Sequence, residues 1–103
     1  MTLLRDLLLT VGVPVFHFFA TKKTDKYIVW AEDNEARSLH ADNQKTEQVI
    51  EGTIDYFTKT EFDPIFNTIQ DKLSEAEVSY RLSSIQYEED TGYIHYEWIF
   101  EVV

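Results

Sequence analysis

Hydrophobic alternation is plainest near the end of the chain. From Tyr93 to Val103, one face collects Ile94, Tyr96, Trp98, Phe100 and Val102, while Tyr93, His95, Glu97 and Glu101, with Ile99 and Val103, fall on the other. A period of two with one apolar face predicts a β-strand that buries one side. The run reaches the last residue, and a terminus spent on sheet pairing points to assembly through a nearby edge or face. At the other end, Leu3, Leu4, Leu7, Leu8 and Val11 recur at helical spacing, so a core helix is expected from Thr2 to about Val11, stopped by Gly12 and Pro14.

Between these ends the pattern predicts five more segments. Val15–Phe19 reads as a strand, and the Lys22–Lys26 segment turns the chain into Tyr27–Ala31, so an antiparallel hairpin is expected. From Glu32 to about Thr46 the sequence is polar and aperiodic, a long loop and a candidate contact surface. Gln48–Thr58 is a strand with Gly52 at its middle, where a glycine marks a bulge or a close backbone approach. Thr60 or Asp63 then caps a helix with Pro64 in its first turn. Its apolar stripe is Phe62, Ile65, Phe66, Ile69 and Leu73, with Asn67, Gln70, Asp71 and Lys72 facing away. Val78–Tyr87 is a strand, joined to the last one by a turn at Glu88–Gly92 in which Gly92 supplies a positive φ. The expectation is one α+β domain over residues 1–103, with a mostly antiparallel sheet of about five strands. Its element order is α-β-β-β-α-β-β, with both helices packed on one face.

Charge narrows the partners. Nineteen acidic residues against nine basic ones leave a net charge of −10, which repels nucleic acid and anionic membranes, so specific nucleic-acid binding and membrane association are not expected. There is no cysteine, which removes disulfides and thiolate chemistry and makes a reducing compartment the simpler setting. The leucine-rich start is interrupted by Arg5 and Asp6 and is too short for a signal peptide or a membrane span; a soluble protein made without export is expected.

Candidate chemistry is sparse. His17, His40 and His95 have no metal-pair spacing, and a half-buried, hydrogen-bonded ring is the ordinary outcome for His17 and His95 on strands. Glu88, Glu89 and Asp90 lack the alternating ligands and closing Glu of a calcium loop; a charged hairpin tip is the plainer reading. Glu51, Asp55 and Glu97 could meet across strands, but in so acidic a chain such a meeting says little. No nucleophile elbow or phosphate-cradling loop is present. No catalytic residue, cofactor or metal is therefore assigned. The candidate interface is the hairpin tip, Glu88, Glu89 and Asp90, with His95 and Glu97 on the uncovered strand face.

The stretch Glu51–Lys59, then Phe62–Phe66, then Tyr87–Trp98 resembles small proteins of phages and prophages of Gram-positive bacteria, in the tail-terminator or tail-completion class of long-tailed phages. The likeness runs from about Tyr27 to the C-terminus and rests on phrasing and element order, since that class has no short signature. It implies a structural, non-enzymatic virion protein that stops tail-tube growth and joins tail to head. It also implies a homo-oligomeric ring, six-fold on assembly, with the tail tube protein and head-tail connector proteins as partners. The location implied is the host cytoplasm during assembly, then the virion tail or head-tail junction. A second reading drawn from charge alone is a small acidic inhibitor that mimics DNA. That reading requires carboxylates gathered on one face.

Overall fold

The computed structural model describes residues 2–35 and 49–102. Helix α1 (Thr2–Leu9) leads into strand β1 (Val15–His17), followed by β2 (Lys26–Glu35), β3 (Ile50–Thr58), helix α2 (Ile65–Glu75), β4 (Ser79–Glu88) and β5 (Tyr93–Val102). The expected α-β-β-β-α-β-β order is thus present. The five strands form one sheet in the order β1-β2-β3-β5-β4. Of the long loop expected from Glu32 to Thr46, the first residues continue β2 to Glu35, and the remainder, with His40, lies outside the described residues.

Strand register puts one side chain in two on the helix side. Ile54 lies opposite Trp30 on β2 and Trp98 on β5, Tyr56 opposite Ile28 and Tyr96, and Gly52 opposite Phe100. Both helices pack on this face: Leu4 and Leu8 of α1, Val11 just after it, and Ile69 and Leu73 of α2 join these strand residues in one core. Trp98, Tyr56 and Phe100 are its largest fully buried side chains. A large ring removes roughly 150–250 Å² from water, worth about 4–6 kcal/mol before ordering entropy is subtracted.

Gly52 answers the close-approach expectation. A Cβ there would lie 2.1 Å from the Ala31 carbonyl oxygen and 2.7 Å from the Phe100 ring. The accompanying bulge is on the neighbouring strand, between Glu32 and Asn34. Gly92 has φ +79° in the β4–β5 turn, as its position requires.

Three expectations are corrected. First, β1 pairs with β2 in parallel, Val15 opposite Ile28 and His17 opposite Trp30, and not as a hairpin. The chain leaves β1 through Phe18 at φ 73°, with the Phe18 amide bonded to the Trp30 carbonyl oxygen, and returns to the other end of β2 before pairing. The β2 hairpin partner is β3, so only three of the four strand pairings are antiparallel. Second, Phe62 is not on the α2 stripe: it sits before the helix at φ 56° and is 88% exposed. The neighbouring Asp63 takes the interior place instead. Third, Gln70 does not face away from the core, since its Oε1 accepts a hydrogen bond from Trp98 Nε1 at 3.1 Å.

Asp63 is 3% exposed. Its Oδ2 accepts from the Tyr56 and Thr58 hydroxyls, both at 2.7 Å, and lies 3.3 Å from Lys26 Nζ, while Oδ1 accepts the Ile65 amide at 2.9 Å. Burial pushes this carboxyl up, but the amide, hydroxyl and ammonium donors more than offset it and leave the pKa below its ordinary value. Burial beside that carboxylate pushes the Tyr56 phenol up in turn. The site ties the start of α2 to β2 and β3.

Candidate functional site

With both helices on one face, the opposite face of the sheet is left open, and its register gathers aromatic rings. Phe57 on β3 lies opposite Tyr27 on β2 and His95 on β5. The Tyr27 and Phe57 rings stack at 4.7 Å, Phe57 and His95 stack at 4.2 Å, and Tyr93 meets Tyr27 edge-on at 5.7 Å. Tyr93 is anchored by its hydroxyl, which donates to the Thr24 carbonyl oxygen at 2.6 Å, and Lys59 Nζ lies 4.9 Å from the centre of its ring.

Acidic groups follow along the same face. Asp55 sits opposite Glu97, and Glu51 opposite Glu101, so two carboxylate pairs face each other across β3 and β5. Like charges in that position repel, and His95 relieves one pair: its Nε2 lies 2.7 Å from Asp55 Oδ1. The Asp55 carboxylate raises the His95 pKa, burial works against it, and Glu88 and Glu97 add to the rise.

The segment after β1 forms a rim. Phe18, Phe19 and Lys23 stand beside the open face and enclose with it a cavity of about 710 Å³ whose floor includes Tyr27, Asp55, Phe57 and Tyr93. Of the candidate interface residues, Glu88, His95 and Glu97 line this cavity. Glu89 and Asp90 stand exposed at the β4–β5 turn, outside its lining. His17 lies on the helix side, stacked on Trp30 at 4.1 Å and bonded to Glu32, whose pKa that bond helps to hold below its ordinary value although burial pushes it up.

Phe18 and Phe19, 58% and 69% exposed, are the site residues that sequence reasoning missed. Both fall in the strand expected over Val15–Phe19, which the structure ends at His17. A larger cavity of about 860 Å³ lies beside α1, lined by Leu3, Leu7, Val78 and Val102 among others, and contains none of the candidate residues.

On the open face the His95–Asp55 pair is the short histidine–carboxylate contact, and no group of three or more metal-ligating side chains occurs among the described residues. Among those residues no helix is long and apolar enough to cross a membrane. No protein-family model matches the chain, and no curated protein matches it.

Proposed function

We propose that this chain is a non-enzymatic assembly protein of a long-tailed phage or prophage, acting as a tail terminator that caps the tail tube and joins tail to head. Its partners on this reading are further copies of itself in a six-fold ring, the tail tube protein and the head-tail connector proteins. It works in the host cytoplasm during assembly and ends in the virion tail or at the head-tail junction. The observation that carries the reading is the open sheet face, where exposed Phe18 and Phe19 stand beside half-buried Phe57 and the buried rings of Tyr27 and Tyr93, with Glu88, His95 and Glu97 lining the same cavity. An aromatic centre with a charged rim has the composition of a protein contact. The resemblance to tail-completion proteins, carried by Glu51–Lys59, Phe62–Phe66 and Tyr87–Trp98, supplies the kind of partner.

One observation favours the second reading, an acidic inhibitor that mimics DNA: Glu51, Asp55, Glu97 and Glu101 share a face. Asp55 is bound by His95, however, and the aromatic patch beside it has no counterpart in a phosphate backbone. Deleting the gene, inducing particle production and imaging the products by electron microscopy separates the two. Overlong tail tubes beside unjoined heads are expected. Joined particles with tails of normal length would end the terminator reading and bring the inhibitor forward.

A further inference from the structure

The sheet ends at β4, a ten-residue strand whose far side has no strand against it among the described residues. Long unpaired edges are normally short, charged or twisted away. This one shows apolar side chains on the helix side of the sheet: Leu82, Ile85 and Tyr87 are 38%, 56% and 64% exposed. They lie beyond the cover of the helices, opposite Trp98, Tyr96 and Ile94 of β5.

We propose that β4 pairs antiparallel with β4 of a second copy of this chain, about a two-fold axis normal to the sheet that passes between Ser83 and Ser84. The register selects this arrangement. With the axis there, Ser79 of one copy meets Glu88 of the other, Tyr80 meets Tyr87, Arg81 meets Gln86, and Leu82 meets Ile85. A regular ten-residue strand cannot pair with itself end to end in this way, because each such pair joins an even position to an odd one and puts the two side chains on opposite faces. The bulge in β4 removes the conflict.

Register along β5 shifts between Leu82 and Ser84, leaving Ser83 as the extra residue, so the face of each position inverts at the midpoint of the strand. Tyr80, Leu82, Ile85 and Tyr87 all lie opposite helix-face residues of β5, and Arg81, Gln86 and Glu88 opposite open-face ones. Every apolar position therefore meets an apolar position of the second copy. Sliding the pairing by one residue sets apolar against polar positions throughout; sliding it by two one way carries Tyr87 beyond the strand to Val78 and sets Leu82 against Ser83, and the other way sets Ser84 against Ile85.

Charge agrees with this register. Arg81 is the one cationic residue of β4 and Glu88 its one acidic residue. Both lie on the open face, and in the proposed pairing they are diagonal neighbours, twice per dimer by symmetry, within reach of long side chains. No like charges are opposed. A ten-residue ladder with three exposed apolar side chains per copy is a small interface, so the association belongs in the micromolar range and not among obligate dimers.

The pairing does not depend on a tail role, because its test uses the purified chain alone. Sedimentation velocity across the micromolar range is expected to show monomer passing to dimer and stopping there. Arg81→Glu should move the midpoint about tenfold to higher concentration, and Arg81→Glu combined with Glu88→Arg should return it towards the unsubstituted value. Ile85→Lys should stay monomeric with an unchanged circular dichroism spectrum. A chain that stays monomeric throughout, assemblies larger than a dimer, or a charge swap that adds to the loss would each overturn the two-fold pairing.

Discussion

Asp63 shows how much a single side chain can organise. A carboxylate 3% exposed is costly unless its lone pairs are filled, and here two hydroxyls, an amide and an ammonium fill them. Replacing it by asparagine turns an amide N–H₂ towards donors, so Asp63→Asn should cost about 2–4 kcal/mol in urea unfolding, against about 1 kcal/mol for Tyr56→Phe, which removes one bond. Because the folded carboxyl is held below its ordinary pKa, its contribution is complete above about pH 4 and is lost as pH falls through the folded value. Stability curves of the native chain and Asp63→Asn should therefore converge in acid. His95 has the opposite sign: its pKa is raised beside Asp55, so its contribution is complete below about pH 6.5 and fades as pH rises through the raised value. His95→Gln should remove that alkaline slope and leave the acid one, as read from unfolding midpoints across pH. The sequence offers Thr60 or Asp63 as the helix cap; Pro64 takes the N-cap position, and Asp63, one residue before it, accepts the Ile65 amide. Sequence reading missed the burial, because Tyr56 and Thr58 meet the carboxylate only where the chain folds back after β3, and Lys26 only through the β2–β3 pairing.

At the scale of elements, strict alternation was readable and irregularity was not. Between β3 and β5 the register is unbroken, and the face predicted as core, Ile94 through Val102, is the face that meets the helices, although Tyr93 on the opposite face is buried as well. Trp98→Ala should accordingly cost about 3–5 kcal/mol, seen as a large drop in urea midpoint, since a fully buried indole leaves a cavity and an unbonded Gln70. Retained stability in that variant would contradict the assignment of the core face. The parallel β1 escaped notice because a short strand beside a lysine-rich turn has the same composition whether the chain doubles back or crosses over. What decides it is backbone geometry: Phe18 in the left-handed region, with its amide on Trp30. In β4 the bulge at Ser83 inverts the face midway and breaks the alternation that would have announced the edge.

At the scale of the whole molecule, the helices take one face and leave the other as the larger surface on which to meet a partner. Acidic residues spread over helices, turn and strands keep copies of a chain at −10 apart at long range, so contacts between them must come from short-range apolar patches. Beside the open face that apolar surface is Phe18 and Phe19, with half-buried Phe57 behind them, and Asp55, Glu88 and Glu97 line the same cavity. Partner binding there should respond to charge at the margin without response in the fold. Glu88→Lys with Glu89→Lys tests this at the β4–β5 turn, where Glu88 lines the cavity and Glu89 is exposed. Neither side chain is part of the core, so thermal unfolding should move by no more than about 1 kcal/mol in stability. On the proposed tail role, joining, scored as the fraction of complete particles when the variant replaces the native gene, should fall. Normal joining by a normally folded variant would take the turn out of the contact surface and leave the centre of the open face as the place where a partner binds.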